Sequence, residues 1–483
     1  MESKVYIINT ENTVYSKDKP YHPSEDYPEY LFDKTYISTE ENKVYHDLRN
    51  LFHGMELDSD NFGLPEWNPF GSFIKPGDHV LIKPNMVRHF HPMGYTMDCL
   101  ITNGSLIRAV IDFVIIALKG IGKITIGDAP IQSAIFDEIK KKNGLDQIVE
   151  FYKSQKSTIK FEIIDFRQTV ALCDKKGRIS RTITQANCEF KYINLDDNSF
   201  FANLAKKKYA IADYPYSAMK NYHTIGKHKY LVPQTLLDAN VIINLPKPKT
   251  HRFAGLTGSM KNFIGVNSQK ENLPHHCVGS LAENGDEYPS KSYVKKSITS
   301  LTNLITILAT KNLYVLSYPL YIIRHLLIRL LRKNEMIFKG SWHGNDTIWR
   351  TILDVNRIVV YADRTGSIMD TQQRTVFTIC DAIITGEYQG PLEPNPVKSK
   401  AIIAGFNLYA IDRFLAAFMG FKFECLPFLQ NCPEDLGKIQ DEELQIFSNQ
   451  NEWNSTKLKD YKSTFTYTPA PGWETISNKH ISL

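Results

Sequence analysis

The sequence lacks the motifs of several common enzyme classes. It contains no GxxxxGK[ST] phosphate loop, no GxGxxG after a predicted strand, no HExxH and no GxSxG. These absences argue against the familiar nucleotide hydrolases, dinucleotide oxidoreductases, zinc proteases and serine hydrolases. If the protein is an enzyme, we therefore expect a transferase or an isomerase rather than a protease or an NAD dehydrogenase.

Cysteine is scarce and follows no metal-binding pattern. The seven cysteines of the 483-residue chain form no CxxC pair, so we expect neither a zinc ribbon nor an iron–sulfur cluster. An odd, scattered set is typical of a reducing compartment. The first twenty residues also lack a basic region followed by an apolar core. We therefore expect no secretory signal and a cytoplasmic location.

Charge of one sign is not in large excess. The chain has 57 Lys and Arg residues against 52 Asp and Glu residues, which gives a net charge of +5. This balance is too mild to predict nucleic acid as a partner. Hydrophobic residues make up 42% of the sequence, an ordinary globular composition with ample material for a core. The run Lys206 to Lys208 is interpreted as a solvated surface.

Strand and helix patterns alternate from Lys75 onward. An apolar strand is predicted at Val80 to Ile82, a helix after Asn103 and a second strand at Lys123 to Ile126. This order predicts an α/β fold with a largely parallel, doubly wound sheet and helices on both faces. Further strands are predicted at 4–8, 241–245, 375–380 and 401–404, and further helices at 346–360 and 408–418.

The predicted organisation has three parts. Residues 1–74 form an N-terminal wrapping segment, residues 75–420 the α/β domain and residues 421–483 a C-terminal tail. A helical insertion is predicted inside the domain at about 297–333.

The stretch 300–333 within this insertion is strongly apolar. It falls short of a membrane span of about 20 apolar residues because charged residues and Pro319 interrupt it. One interpretation is a helical hairpin that packs on the domain or in a homo-oligomer interface. The alternative is an interfacial helix pair that makes peripheral contact with the inner face of an anionic membrane. Its basic end consists of Arg324, Arg329, Arg332 and Lys333.

Polar side chains follow several of the predicted strands. In a parallel sheet the carboxyl ends of the strands lie along one edge, where open α/β folds bind ligands. We therefore expect these side chains to converge although they are far apart in sequence. The residues that follow the strands are Lys83, Asn85, Asp128, Lys247, Lys249, His251, Asp381, Gly405 and Asn407.

The stretch Asn240 to Gly265 is the centre of this arrangement. An apolar strand runs into a loop that is rich in cations and glycine, which is how α/β proteins hold anionic ligands. It predicts a site for a phosphorylated or otherwise anionic small molecule. The predicted substrate-binding residues are Lys83, Asn85, Lys247, Lys261, Asn262 and Gly390.

The predicted chemistry uses two residues of this loop and two aspartates. His251 is predicted to move a proton because its unperturbed pKa lies near neutrality, and Lys249 is the second predicted catalytic residue. Asp128 and Asp381 are predicted to hold Mg²⁺ or Mn²⁺, since hard cations take carboxylate oxygens. Either aspartate could instead cap a helix.

Two other polar stretches carry weaker predictions. His275-His276-Cys277 has the residue types of a transition-metal site, but adjacent ligands rarely fit one metal. The segment from Trp342 to Asp346 is interpreted either as a substrate-binding loop or as the N-cap of the helix that follows.

The motifs VLIKPNMV, ITIGDAP, INLPKPKTHRFAGLTGSMKNFIGV, CDAIITGEYQGP and AIIAGFNLYAIDRFLA together resemble the domain of unknown function 362 family. The resemblance covers roughly Lys75 to Gly420, and KTH…LTG…KN is its most specific part. Many members of the family carry a ferredoxin-like cysteine cluster, which this sequence lacks, so the resemblance implies no electron transfer. The segment WHGNDTIWRTILDVN is similar to members that accompany bacterial surface-polysaccharide genes.

Three functional hypotheses follow. The first is a cytoplasmic enzyme that acts on a phosphorylated or nucleotide-linked small molecule, such as a sugar, in surface-polysaccharide biosynthesis. The second is a non-enzymatic ligand-binding or assembly protein at the membrane face. The third is a metal-dependent isomerase or redox enzyme that uses the histidines.

Overall fold

The structure, a computed structural model, describes residues 3–10, 12–155, 158–173, 179–204, 208–211, 219–311, 313–329, 331, 337–454 and 457–477. Two groups of predicted residues lie outside these ranges: Lys206 and Lys207 of the lysine run, and Arg332 and Lys333 of the basic end.

Strands and helices alternate along the chain, as the sequence predicts. The strands are β1 Lys4–Asn9, β2 His79–Pro84, β3 Lys123–Asp128, β4 Lys160–Asp165, β5 Thr169–Cys173, β6 Ile179–Thr184, β7 Phe190–Asn194, β8 Tyr209–Ala210, β9 His223–Thr224, β10 Lys227–Pro233, β11 Val241–Leu245, β12 Lys249–His251, β13 Gly255–Thr257, β14 His276–Cys277, β15 Thr375–Gln389, β16 Glu393–Gly405 and β17 Gln445–Ser448. The helices are α1 Lys43–Gly54, α2 Gly104–Leu118, α3 Phe136–Lys142, α4 Leu145–Ser154, α5 Gln234–Asp238, α6 Ser259–Asn262, α7 Tyr293–Thr310, α8 Tyr314–Arg329, α9 Ile348–Tyr361, α10 Leu408–Phe418 and α11 Pro427–Gln430.

One large sheet organises the fold. Its main strands lie in the order β17-β1-β16-β15-β11-β2-β3-β4. The neighbours from β15 to β4 are all parallel, and β16 is antiparallel to both β15 and β1. The predicted α/β fold with a largely parallel sheet is therefore confirmed. The boundaries at 74/75 and 420/421 stay a prediction, and β1 and β17, which lie beyond them, belong to the sheet.

Both faces of the sheet are covered by helices. Side chains alternate along each strand, so Val80 and Ile82 enter the core beneath α1, α2 and α4, whereas Leu81 enters the core beneath α5, α9 and α10. Every residue of α2 is buried. The side chain of Asn103 caps this helix by accepting a hydrogen bond from Ser105 N–H, as predicted. The loops that follow the parallel strands meet at the carboxyl edge of the sheet, between the two cores.

The predicted strands 375–380 and 401–404 are too short. They are parts of β15 and β16, which form one long antiparallel hairpin, so Asp381 lies within a strand and pairs with Ile402. A carboxylate is tolerated there because Lys247 neutralises it. Asp381 still lies at the carboxyl edge, since its N–H donates to Pro246 O. Because β16 runs the other way, Gly405 and Asn407 lead away from that edge, and Asn407 caps α10.

The predicted helical insertion is present as α7 and α8. Arg324 Nε on α8 donates to Thr302 Oγ1 on α7 at 3.0 Å, and Ile298 and Ile305 of α7 are buried. The hydroxyl of Thr299 donates to the Glu287 carboxylate, which ties α7 to the preceding loop. Among the described residues, no helix is long and apolar enough to cross a membrane.

An aromatic side chain in β15 tests how this core is packed. The Phe377 ring is fully buried and contacts the rings of Phe70 and Phe406, with centroid distances of 5.7 Å and 4.7 Å. We expect Phe377→Ala to lower the free energy of unfolding by about 3–5 kcal/mol because it leaves a cavity. Urea denaturation measures this. The control Phe90→Ala removes a ring that is 38% exposed, and an equal loss in both variants would contradict the packing described.

Candidate anion-binding site

A buried ion pair joins the ends of β2 and β3. Lys83 Nζ lies 2.8 Å from Asp128 Oδ1, and both side chains are buried. Asp128 also accepts hydrogen bonds from Met86 N–H at 2.6 Å and Ala129 N–H at 2.8 Å. Burial lowers the pKa of Lys83, and the neighbouring carboxylate opposes this shift. The charge of Lys83 is thus balanced by the protein itself, so its predicted contact with substrate would have to share this carboxylate.

A second buried ion pair joins the loop after β11 to β15. Lys247 Nζ lies 2.8 Å from Asp381 Oδ2, and neither side chain is exposed. Lys247 also donates to Tyr15 Oη at 2.9 Å, and the Tyr15 hydroxyl donates to Asp381. The N–H of Asn103 donates to Asp381 Oδ2 at 2.8 Å. The donors and acceptors of this pair are therefore used within the protein.

The two aspartates lie too far apart to share one cation. They are on β3 and β15, with β2 and β11 between them, a separation of three strand spacings or roughly 14 Å. Each carboxylate already faces a lysine. Within the described residues, no group of three His, Cys, Asp or Glu side chains is placed to hold a metal ion. The expected Mg²⁺ or Mn²⁺ stays a prediction, without Asp128 and Asp381 as joint ligands.

Lys249 is buried without a carboxylate partner in the described part of the chain. Its Nζ donates to Asn85 Oδ1 and Leu100 O, both at 2.8 Å, and to Lys247 O at 3.3 Å. Burial, followed by the charge of Lys247, lowers the pKa of Lys249 to about 7. A lysine in this state exchanges a proton near neutral pH, which fits its predicted catalytic role.

Side-chain amides hold this lysine in place. Asn85 Nδ2 donates to Asn262 Oδ1 at 2.9 Å, and Asn262 Nδ2 donates to Asn244 Oδ1 at 2.8 Å. Asn244 Nδ2 donates in turn to Ser259 Oγ at 3.1 Å. Asn85 and Asn262, both predicted to bind substrate, are thus part of an internal network that orients Lys249.

His251 is neutral rather than poised near its ordinary pKa. Its Nδ1 accepts hydrogen bonds from Phe253 N–H at 3.1 Å and Ala254 N–H at 3.3 Å, which places the ring proton on Nε2. Burial, followed by the charge of Lys261, holds the pKa of His251 well below its usual value. The assumption of an unperturbed pKa is therefore wrong, and the role of His251 in catalysis stays a prediction with the ring as an N–H donor.

Two further lysines at this edge lack a carboxylate within salt-bridge distance in the described part of the chain. Lys261 and Lys270 are 8% and 9% exposed, and neither ammonium has a hydrogen-bond acceptor or a salt-bridge partner among the described residues. Burial, followed by repulsion from Lys270 and Lys83, lowers the pKa of Lys261 to about 7. Burial lowers the pKa of Lys270 to about 8, although Asp128 opposes the shift. Unpaired cations in a desolvated position are costly and mark candidate sites for an anion.

His275 completes the surroundings of Lys261. Its Nδ1 contacts Leu273 O at 2.9 Å, and burial together with the charge of Lys261 lowers its pKa to about 3. The next two residues form β14, which pairs with β8. His275 is thus affected by the charge of Lys261, and no metal-binding cluster containing it is found in the described ranges.

A buried aspartate on α10 positions the short helix that carries Lys261. The Asp412 carboxylate accepts hydrogen bonds from the N–H groups of Ser259 and Met260 at the start of α6. Burial raises the pKa of Asp412 to about 7, and the two N–H groups oppose the shift. A Cβ atom on Gly258 would lie 2.1 Å from Asp412 Oδ1. This position therefore requires glycine.

A second glycine allows the ion pair of β2 and β3 to pack under the same loop. A Cβ atom on Gly265 would lie 2.0 Å from Asp128 Oδ1 and 2.8 Å from Lys83 Nζ. Gly390 lies at the tip of the β15–β16 hairpin, and a Cβ atom on it would lie 1.9 Å from Thr250 O. Gly390 O also accepts a hydrogen bond from Arg252 N–H. Gly390 thus docks the hairpin on β12, and its predicted contact with substrate stays untested.

The sequence reasoning missed Lys270 and Asp412 as site residues. The sequence pattern predicts only a helix at 408–418 around Asp412, and it predicts no element around Lys270. A signal for Asp412 was a charged residue on the otherwise buried side of α10. For the segment at Trp342, the N-cap interpretation fits, because Asn345 Oδ1 accepts hydrogen bonds from Thr347 N–H and Ile348 N–H, both at 2.9 Å.

Comparison with known proteins gives one family. The family model described as a domain of unknown function (DUF362) matches residues 153–417. This range contains β11 to β13, Lys261, Lys270, Asp381 and Asp412, and it leaves β2 and β3 outside. The resemblance seen in the sequence began earlier, at Lys75. No curated protein matches the chain.

Two solved structures are similar over part of their length. A protein from Thermotoga maritima is 12% identical with a TM-score of 0.30, and the alignment covers 76% of this chain and 57% of that one. The lactate racemase apoprotein from Thermoanaerobacterium thermosaccharolyticum is 12% identical with a TM-score of 0.26, and the alignment covers 71% of this chain and 49% of that one. The chain therefore spans only about half the length of each.

Gly258 offers a direct test of the loop geometry. We expect Gly258→Ala to lower the free energy of unfolding by about 1–3 kcal/mol, because the added methyl group displaces Asp412 from the start of α6. Thermal or urea denaturation measures the loss. The matched control is Gly54→Ala at the end of α1, where a Cβ atom meets no atom within 4 Å. Equal stability of Gly258→Ala and wild type would show that Asp412 is not held as described.

Proposed function

The chain belongs to the domain of unknown function 362 family, and we propose that it is an enzyme that binds an anionic small molecule at Lys261 and Lys270. The observation that carries this proposal is that, in the described part of the chain, neither of these two nearly buried ammonium groups has a carboxylate within salt-bridge distance. An anion with two charges would balance both lysines and raise their pKa values toward the ordinary value. The family name itself assigns no activity.

A phosphorylated or nucleotide-linked metabolite, including a sugar derivative, is the substrate class that we favour. Phosphate oxygens accept strong hydrogen bonds from ammonium groups, and the Nε2–H group of His251 would add a neutral donor beside Lys261. If Mg²⁺ or Mn²⁺ takes part, oxygens of the substrate would supply most of its ligands, as is common for Mg²⁺. A place in surface-polysaccharide biosynthesis stays a prediction.

Lys249 is the group that we propose moves a proton. Its pKa of about 7 keeps both protonation states populated near neutral pH. The amide network through Asn85 and Asn262 fixes its position. The charge of Lys261 acts on Lys249, so an anion bound at Lys261 would also act on Lys249. The arrangement supports acid–base chemistry on a bound anionic substrate.

A binding protein without catalysis is the second candidate. It would use the same two lysines, and Asn85, Asn262 and the low pKa of Lys249 would then be consequences of packing alone. The third hypothesis, a metal-dependent isomerase or redox enzyme, stays a prediction.

Sulfate provides a simple probe of the anion site, since it remains a dianion throughout the neutral range. We expect sulfate to raise the melting temperature, by an amount that corresponds to about 2.7 kcal/mol at one hundred times its Kd. The effect should be largest near pH 6 and fade by about pH 9, because Lys261 and Lys270 lose their protons as the pH passes 7 to 8. Differential scanning fluorimetry measures it.

Variants define which groups are responsible. Lys261→Met and Lys270→Met should each abolish most of the sulfate effect, whereas Lys459→Met, at an exposed position, should preserve it. Without sulfate, the two protonated lysines destabilise the folded protein. Both lysines have folded-state pKa values below the ordinary value, so their destabilising effect is complete below pH 7 and is relieved as the pH rises toward 10. Lys261→Met should therefore melt higher than wild type near pH 6. A sulfate effect that is unchanged in both variants would contradict the site.

A variant of Lys249 distinguishes the enzyme hypothesis from the binding-protein hypothesis. We expect at least one sugar phosphate or nucleotide sugar to stabilise the wild type and to be converted on incubation, which ³¹P NMR would detect. Lys249→Met should bind that compound within about threefold of wild type but convert it at least about 100-fold more slowly. The Lys459→Met variant is again the control. Stabilisation of the wild type by such compounds without conversion of any of them would favour the binding protein.

A further inference from the structure

An apolar stripe covers the outer side of α8. Its side chains are large and exposed, and Val315 is 88% exposed. We define the stripe as Val315, Tyr318, Ile322 and Leu326, flanked by Leu316 and Ile323. The four central residues follow each other at intervals of three, four and four, which places them on one face of a helix. From Val315 to Leu326 the stripe is roughly 16 Å long.

The opposite side of α8 is occupied by α7. Ser317 is buried, and Arg324 donates to Thr302 of α7 at 3.0 Å. The stripe therefore faces away from α7. An open apolar groove of about 540 Å³ lies between the two helices and is continuous with the stripe through Ile323. A contiguous apolar surface of this kind is typical of an interaction site.

The charge around the stripe indicates what it contacts. The 47 residues from Tyr288 to Asn334 contain no Asp or Glu, although the chain as a whole has 52. Exposed Lys311 precedes α8, and exposed Arg329 ends it. Tyr293 and Tyr318 add exposed aromatic rings, a residue type enriched where protein meets the headgroup region of a membrane.

We propose that α7 and α8 dock on an anionic lipid surface, with the stripe inserted among the acyl chains and the basic residues at the headgroups. A helix with an apolar face and flanking cations lies in the plane of such an interface. Neither helix crosses the membrane. A second copy of the chain fits less well, since pairing two such faces would bring like charges together. The docking surface is separate from the anion site and does not depend on the proposed enzymatic role.

Vesicle co-sedimentation of the full chain tests the proposal. We expect binding to vesicles that contain phosphatidylglycerol, little binding to phosphatidylcholine alone, and weaker binding at high salt. The triple variant Val315→Ser/Ile322→Ser/Leu326→Ser should lower partitioning at least about tenfold. The matched control is Ile121→Ser, which changes an isoleucine that is 63% exposed outside α7 and α8. Lys311→Gln/Arg329→Gln should lower partitioning at least about fivefold.

Several outcomes would overturn the proposal. One is a wild-type protein that does not bind the anionic vesicles. Another is binding that neither variant weakens. A third is a dimer in sedimentation velocity that the triple variant dissociates while no vesicles are bound, which would assign the stripe to a homo-oligomer. Circular dichroism monitors folding, and the charge variant decides the question if the triple variant is unfolded.

Discussion

The ammonium groups brought to the carboxyl edge of the sheet must each find a counter-charge or lose a proton, and this constraint governs the site. Lys83 and Lys247 each meet an aspartate on the neighbouring strand. Among the described residues, the ammonium of Lys249 donates only to neutral oxygens, and its pKa falls to about 7. Lys261 and Lys270 meet neither, within the described residues. Lys83 and Lys247 are therefore structural ion-pair residues, whereas a negatively charged ligand would balance the charges of Lys261 and Lys270.

The requirement for glycine and asparagine follows from these buried charges. A carboxylate can satisfy N–H groups or an ammonium only at short distance, which leaves no space for a Cβ atom beside it. Gly258 lies against Asp412, and Gly265 lies against Asp128. The amides of Asn85 and Asn262 can accept from one neighbour and donate to another at once, so they extend the network without adding charge. In the KTH…LTG…KN pattern, the glycine and the asparagine therefore allow charged side chains to be buried close together.

Patterning along the chain predicted the sheet because its signal is local. Alternating strands and helices predicted the parallel order, and the strand ends predicted that Lys83, Asp128 and Lys247 lie along one edge of the sheet. The sequence pattern does not predict which distant residues form ion pairs. The sequence pattern predicts that the strand ends before Asp381, because no residue nearby in sequence shows that Lys247 neutralises this carboxylate. Lys270 was missed because its burial depends on segments far away in the chain.

Unpaired buried cations cost stability, and such a cost is commonly retained where it serves binding. In the proposed enzyme, the substrate would alter the chemistry as well as relieve the cost. Burial and the charge of Lys247 lower the pKa of Lys249 most, and the positive charge of Lys261 adds to this shift. An anion bound at Lys261 would offset that charge, so the pKa of Lys249 would rise and the lysine would take up a proton. Lys249 would then favour its protonated form in the complex and its neutral form after the product leaves, so that the charge of the substrate contributes to the timing of proton transfer.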